Sequence, residues 1–358
     1  MKKKSTLRER FTPAARDSFI NYGIVILFFA IVQPLIATKH ITSNFKGQLI
    51  PICAYVCMAL ALNLVVGISG ELSLGHAGFM SLGAFSGVIA AAALAGSVQM
   101  TWLRLILAIV IGALIAAIAG ALIGIVVLRL KGDYLAIVTL AFGEIIKNVL
   151  NCLYVGLDGS GLHFSVTDAT AGVNTAEGGK VILNGPMGAL GITKLSTFAS
   201  GIILVLIVLL IVQNLVNSRS GRAIMAIRDN RIAAEASGLN VVKYKMMAFV
   251  ISAAIAGAAG ALYALNYSTI VPKKFDFNTS ILVLVFVVLG GIGNLRGSII
   301  AAAILTVLPE VLRAFSDYRM LIYAIVLIIV MIASNNAQFK ALLKKLVPGK
   351  KAAAEEGE

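Results

Sequence analysis

Long apolar stretches separated by short polar ones run through the chain from Ile20 almost to its end. They fall near 20–37, 49–68, 72–95, 103–128, 135–155, 197–216, 246–266, 279–292, 297–312 and 320–334. Most are near-continuously apolar rather than striped, which is the pattern of a helix with apolar surroundings on every side. A bilayer core of about 30 Å takes about 20 such residues. The pattern predicts an all-α, polytopic transmembrane bundle of about ten spans. The run at 279–292 is too short for a full crossing, so it and its neighbour 297–312 are candidates for half-spans or broken helices.

Composition agrees: 59% of the 358 residues are hydrophobic and only 13% charged, with a mean hydropathy of +0.96. A soluble protein of this length needs more charge to coat its surface. The first apolar run follows a basic segment, as in a signal peptide, but it exceeds a usual signal core and ends in Gln33-Pro34 without a small-residue cleavage site. It reads as a retained first helix.

Charge then sets orientation. With the N-terminus in the cytoplasm, most of the 30 Lys and Arg residues fall on the cytoplasmic side: those before Ile20, Arg129 and Lys131, the six in 217–245, Arg296, and those after Asn336. This is an N-in, C-in topology by the positive-inside rule. Basic loops beside anionic headgroups account for the net charge of +14, and no nucleic-acid partner is needed. The expected organisation is a basic cytoplasmic tail at 1–19, a transmembrane domain at 20–336 and a cytoplasmic tail at 337–358. Within the domain, 156–196 is an extracytoplasmic loop and 217–245 a cytoplasmic segment.

Small residues recur at helical spacing. Gly112, Ala116, Gly120 and Gly124 form one stripe, Gly83, Gly87 and Ala91 a second, and Ala253, Gly257 and Ala261 a third. Such stripes let helices approach closely in lipid and read as packing seams. Two glycine clusters, Gly67-Gly70-Gly75-Gly78 and Gly290-Gly291-Gly293-Gly297, are helix breakers. Non-helical backbone at membrane depth survives only where protein or a water-filled cavity satisfies it, so these are either gates or plain tight turns. The stretches around them, 65–72 and 287–295, resemble each other and suggest a parallel internal repeat, though glycine-rich turns also look alike by chance.

Ionisable residues inside spans are few. Glu144 and Lys147 lie well inside one, spaced to pair on a single face, while Glu71 and His76 sit in the glycine-rich start of the third. Gly67, Gly70, Glu71, Gly75, His76, Glu144, Gly290, Gly291 and Gly293 are thus the candidate translocation path or gates; self-paired or interfacial groups are the plainer alternative. Cys53, Cys57 and Cys152 read as inert buried thiols, and no metal site is expected.

In 217–245 a short amphipathic helix is predicted over Ala223–Ser237, with Ile224, Ile227 and Ala234 on one side and Arg228, Arg231 and Glu235 elsewhere. Gly238 and Asn240 suit its C-terminal stop. Tied to spans six and seven, this helix could receive force from a partner. The chain has no GxxxxGK[ST], HExxH or GxSxG motif. It is expected to be non-catalytic, and if ATP drives transport the nucleotide sites lie on another chain.

At 63–86 (NLVVGISGELSLGHAGFMSLGAFS), 129–147 (RLKGDYLAIVTLAFGEIIK) and 221–313 the sequence resembles the branched-chain amino acid ABC transporter permeases of the LivM type. That resemblance implies an importer subunit of the bacterial inner membrane for Leu, Ile, Val or similar small amino acids. Its partners would be a second homologous permease, two cytoplasmic ATP-binding subunits carrying the ATP and Mg, and a periplasmic substrate-binding protein. In such permeases an Ala-rich cytoplasmic loop and a following Gly dock into the ATPase; Ala233, Ala234, Glu235 and Gly238 match loosely, with Arg222 and Arg228 on the same segment. Related permeases serve urea or other small amides. An ion-coupled secondary transporter is the rival from the residues alone, but it would need more carboxylates in the spans than Glu144; a membrane scaffold would need no broken helices.

Overall fold

The structure is a computed structural model that describes residues 13–38, 43–128, 134–158, 161–167, 179–312 and 318–335. Most of the basic tail, the Arg129–Lys131 turn and the tail at 337–358 lie outside the described residues. Twelve α-helices are present among the described residues: α1 (Pro13–Ala37), α2 (Ser43–Asn63), α3 (His76–Ala93), α4 (Thr101–Val127), α5 (Tyr134–Asn151), α6 (Phe198–Asn217), α7 (Arg219–Asp229), α8 (Arg231–Ala236), α9 (Val241–Ala264), α10 (Phe277–Gly290), α11 (Leu295–Val311) and α12 (Arg319–Asn335). Each of the ten apolar runs contains a helix. Six helical stretches, at 45–68, 76–93, 101–127, 134–151, 198–217 and 241–264, are long and apolar enough to cross a membrane. α10 has 14 residues and α11 has 17. At 1.5 Å per residue α10 reaches roughly 21 Å, short of the bilayer core.

Two compact units divide the chain near Thr306. In the smaller, α12 exposes Leu321, Ile325, Ile328 and Ile332 along one face. In the larger, α2, α3 and α9 form the centre and α4 is peripheral. α4 turns Ile106, Val110, Leu114, Ile118, Leu122 and Ile125 outward and buries Gly112, Ala116, Gly120 and Gly124. Large apolar groups outside and small ones inside is the arrangement lipid selects, because packing rather than hydrophobic burial holds the helices together.

The three small-residue stripes meet. A Cβ on Gly120 would fall 2.6 Å from Ala253 Cβ, one on Gly112 2.8 Å from the Gly83 carbonyl, and one on Gly87 2.7 Å from Ala261 Cβ. Gly257 in turn lies against Gly112 and Ala116. The seam of α3, α4 and α9 therefore has no room for a side chain at any of these glycines.

The loop at 156–196 adds a small sheet to the all-α bundle. β1 (Tyr154–Asp158), β2 (Gly161–Ser165) and β3 (Lys180–Asn184) make an antiparallel sheet in the order β2-β1-β3. Tyr154 pairs with both Ser165 and Asn184, and a bulge follows Val155. β1 was hidden because its first residues extend the apolar run of α5, which stops at Asn151. Cys152, expected to be buried, is exposed just after that stop, while Cys53 and Cys57 are buried.

Candidate functional site

The apolar run of α2 ends in an irregularity. Past Asn63 the chain makes one π-helical turn, Leu64–Ile68, in which Ser69 N–H donates to the Leu64 carbonyl at 3.1 Å. Such single π turns are rare and concentrate at functional sites. Gly70 then adopts φ +74°, which only glycine takes without strain, and residues 70–75 run unwound to the start of α3. Where the first glycine cluster stands, the helix thus gives way to an unwound opening, the break between α2 and α3.

Three groups of side chains occupy the opening. Asn63 is fully buried; its Oδ1 accepts from Gly293 N–H at 2.9 Å and its Nδ2 donates to Ser298 Oγ at 2.9 Å. It ties the break to the turn between α10 and α11, where Gly291 and Gly293 have φ of +92° and +81°. A Cβ on Gly67 would lie 2.8 Å from Gly293 Cα, and Gly290 abuts Gly297 in the same way. The two glycine clusters, read separately from the sequence, touch through Gly67 and Gly293, so the two stretches that resemble each other meet there.

Toward α3, His76 is buried and bridges two hydroxyls, Nε2 to Ser252 Oγ at 2.7 Å and Nδ1 to Ser73 Oγ at 3.2 Å. Ser252 gives its proton to the Ala61 carbonyl, so Nε2 must donate and Nδ1 must accept from Ser73. Thr139 Oγ1 of α5 accepts from Leu74 N–H at 3.1 Å, and Ser280 Oγ of α10 accepts from Ala77 N–H at 3.1 Å. Gly75 lies against the Thr139 backbone, with no room for a side chain. Backbone groups released by unwinding therefore find hydroxyl partners on three neighbouring helices, as low-dielectric surroundings require.

The third group comes from 217–245. Arg228 Nη1 donates to the Gly67 carbonyl at 2.8 Å, while its Nε and Nη2 hold Asp229 Oδ1 at 3.0 and 2.8 Å. Its alkyl stem lies on Gly70, where a Cβ would come 2.5 Å from Cγ. Lys245, in the second turn of α9, pairs with Glu71, and both are mostly buried. Ile224 of α7 packs with Leu64, Ile68 and Ala248. The break is thus clamped by charge on both sides and by apolar contact between.

The clamp's own fold departs from one expected helix over Ala223–Ser237. Ser218 caps α7, its Oγ accepting from Gly221 N–H at 3.1 Å, and α7 stops at Asp229. Asn230 is extended (φ −153°, ψ 100°) and its Oδ1 caps α8 through Ala233 N–H at 3.0 Å. Asn competes for backbone partners outside a helix, so one residue splits the pair. Gly238 (φ +82°) ends α8 in a Schellman motif: Leu239 N–H reaches the Ala234 carbonyl and Gly238 N–H that of Glu235. Asn240 does not stop α8; it caps α9 through Lys243 N–H at 3.0 Å. Ala234 is buried with Ile227 and Val241, Ala233 is exposed, Glu235 pairs with Arg231 at 3.0 Å, and Arg222 donates to the Asn217 carbonyl at 3.0 Å.

Glu144 stands apart. It pairs with Lys147 on α5, half-exposed, while Gly143 beside it packs on Gly75 and Gly78. Sequence reasoning missed Asn63, Thr139, Lys245, Ser252, Ser280 and Ser298. Asn63, an amide between Leu62 and Leu64 in an otherwise apolar run, was a readable signal; the hydroxyls were not. Among the described residues no group of three His, Cys, Asp or Glu side chains could hold a metal ion.

A bundle of apolar spans, one of them ending in a π turn and an unwound connection held by polar side chains, defines a multi-pass membrane protein of the permease class. The comparisons agree. A family profile described as "Branched-chain amino acid transport system / permease component" matches residues 45–331, and the chain belongs to that family. It is 34% identical over 321 residues to the high-affinity branched-chain amino acid transport system permease protein LivM of Escherichia coli K12, covering 86% of this chain and 72% of that protein. LivM of Salmonella typhimurium is 36% identical over the same shares. The ribose import permease protein RbsC of Escherichia coli K12 is 24% identical over 92% of this chain and 98% of its own. No solved structure matches.

Proposed function

We propose that this chain is the translocation subunit of an ATP-driven importer for branched-chain amino acids in a bacterial inner membrane. The observation that carries it is the clamp: Arg228 on the Gly67 carbonyl and Lys245 on Glu71 join the cytoplasmic segment 217–245 to the π turn that ends a central span and to the unwound connection after it. A push or pull on α7 and α8 has no compliant loop to be lost in. It reaches residues 64–75, where the α-helical backbone of a central span gives way to a π turn and an unwound stretch that can rearrange.

The substrate class follows the names of the LivM relatives. We infer that the chain works beside a second, homologous permease, two cytoplasmic ATP-binding subunits that hold ATP and Mg, and a periplasmic binding protein. This chain hydrolyses nothing. Ile232 on α8 is 80% exposed, an apolar side chain on the outer side of the segment 217–245, and it marks the contact for an ATP-binding subunit. The topology is ten spans or half-spans with both termini in the cytoplasm.

The test is import of labelled leucine into proteoliposomes by the complex purified in mild detergent. ATP-dependent uptake is expected. Arg228→Glu, which sets a carboxylate against a carbonyl, should lower uptake at least about tenfold while the complex still hydrolyses ATP. Gly238→Pro should do the same by removing the turn that ends α8. Uptake by the isolated chain on an ion gradient, indifferent to ATP, would overturn the proposal.

A further inference from the structure

At the far end of α3 from the break, a cavity of about 340 Å³ lies between the bundle and the three-stranded sheet. The 18 residues of α3 separate the two places by roughly 27 Å. The cavity's volume is that of a small-molecule site. Its walls are aliphatic: Val88 and Ala92 from the last turns of α3, Ile182 from β3, and Leu265 where α9 ends.

Polar groups enter at few points. Lys180, at the start of β3, is exposed over the cavity, and its stem lies 3.8 Å from where a Cβ of Gly191 would be. Thr193 Oγ1 accepts from Arg104 Nη2 at 3.3 Å, which leaves the hydroxyl proton to donate into the cavity and brings a second cation behind it. Asp158 supplies the opposite charge and is itself fixed, accepting from His163 Nε2 at 2.9 Å and Gly161 N–H at 3.2 Å.

The cavity is built in advance of any ligand. Its covering segment is pinned by backbone bonds from Leu190 to Ile182 (3.2 Å), Ile192 to Ser268 (2.9 Å) and Leu195 to Leu265 (3.1 Å). Gly188 (φ +74°) and Gly191 (φ +63°) make the bends that only glycine permits without strain. A pocket with one anionic corner, one cationic corner and aliphatic walls is matched by neither a simple anion nor a sugar.

We propose that this cavity is a receiving site for a zwitterionic amino acid with an aliphatic side chain, resting on the transport function proposed above. The α-carboxylate lies between Lys180 and the Thr193 hydroxyl, the α-ammonium meets Asp158, and the side chain lies on Val88, Ala92 and Leu265. Substrate is received at one end of α3, and force is applied at the other.

The experiment is thiol protection in the assembled complex. Ala92→Cys is introduced in a chain carrying Cys152→Ser, Cys53 and Cys57 being buried and unreactive. Labelling by N-ethylmaleimide should slow about tenfold with L-leucine at ten times its dissociation constant. Isoamylamine, which lacks the carboxylate, should give no protection; Lys180→Ala should abolish protection by leucine and Lys180→Arg should keep it. Equal labelling with and without leucine, in a complex that imports leucine, would overturn the cavity and leave the proposed function standing. Protection in a complex that imports no leucine would keep the cavity and overturn the function. Protection by substrate-free binding protein alone would make the cavity a docking surface and overturn it as an amino-acid site.

Discussion

α4 and α2 have nearly the same reading as apolar runs, yet they are opposite kinds of span. The α4 window is 22% buried and that of α2, with its π turn, 89%. α4 is 27 residues of unbroken helix that meets lipid with its large side chains and neighbours with its small ones. α2 sits among other helices, carries a buried amide at Asn63, and ends in a π turn. Hydropathy reports only that a segment belongs in the membrane. What it does there follows from the polar groups it must satisfy and from the neighbours that satisfy them.

That comparison can be broken from the α2 side first. Gly67→Val should have the largest effect, because the new side chain meets the backbone of Gly293, which cannot step aside as a flexible side chain could. Uptake should fall to background, and thermal unfolding in detergent should shift down by more than for any α4 variant. Next comes Asn63→Leu. It leaves the Gly293 N–H without its acceptor in a dry site, at a cost of about 1–3 kcal/mol, and loosens the tie to Ser298. Uptake per folded complex should drop with it. Were Asn63→Leu to import at the normal rate, the polar tie would be a packing detail and not part of the moving element.

The α4 variants should separate stability from transport. Gly120→Leu overpacks the seam against Ala253 and should cost about 1–3 kcal/mol. Complexes that survive purification should nevertheless import at the normal rate, which uptake normalised to folded protein would check. The smallest effect belongs to Leu122→Ala on the lipid face: Leu122 is 64% exposed, and a change within about 0.5 kcal/mol is expected, with transport untouched. A large transport defect there would mean that this face meets a protein neighbour rather than lipid.

Much of this was legible one residue at a time. The ten apolar runs each hold a helix, the small-residue stripes lie in a common seam, and the glycine clusters stand where helices break. Gly238 ends α8 as its type and position suggested. The failures were equally local in origin. Asn230 was read as one more helical residue although Asn is also a cap, and β1 was absorbed into α5 because Tyr154 and Val155 are as apolar as the helix before them. Cys152 was taken as buried because the same run was followed too far.

What the sequence determined by itself is the solvent of each segment and the places where the backbone cannot remain helical, because hydropathy and glycine's conformational freedom are properties of single residues and short windows. Only the tertiary structure decided who satisfies whom. Asn63 meets Gly293, Arg228 meets Gly67 and Lys245 meets Glu71 across separations of 230, 161 and 174 residues. No period or spacing encodes such pairs. They exist because the π turn and unwound residues between two spans leave backbone groups that must find partners, and helices already packed through their small residues bring those partners within reach.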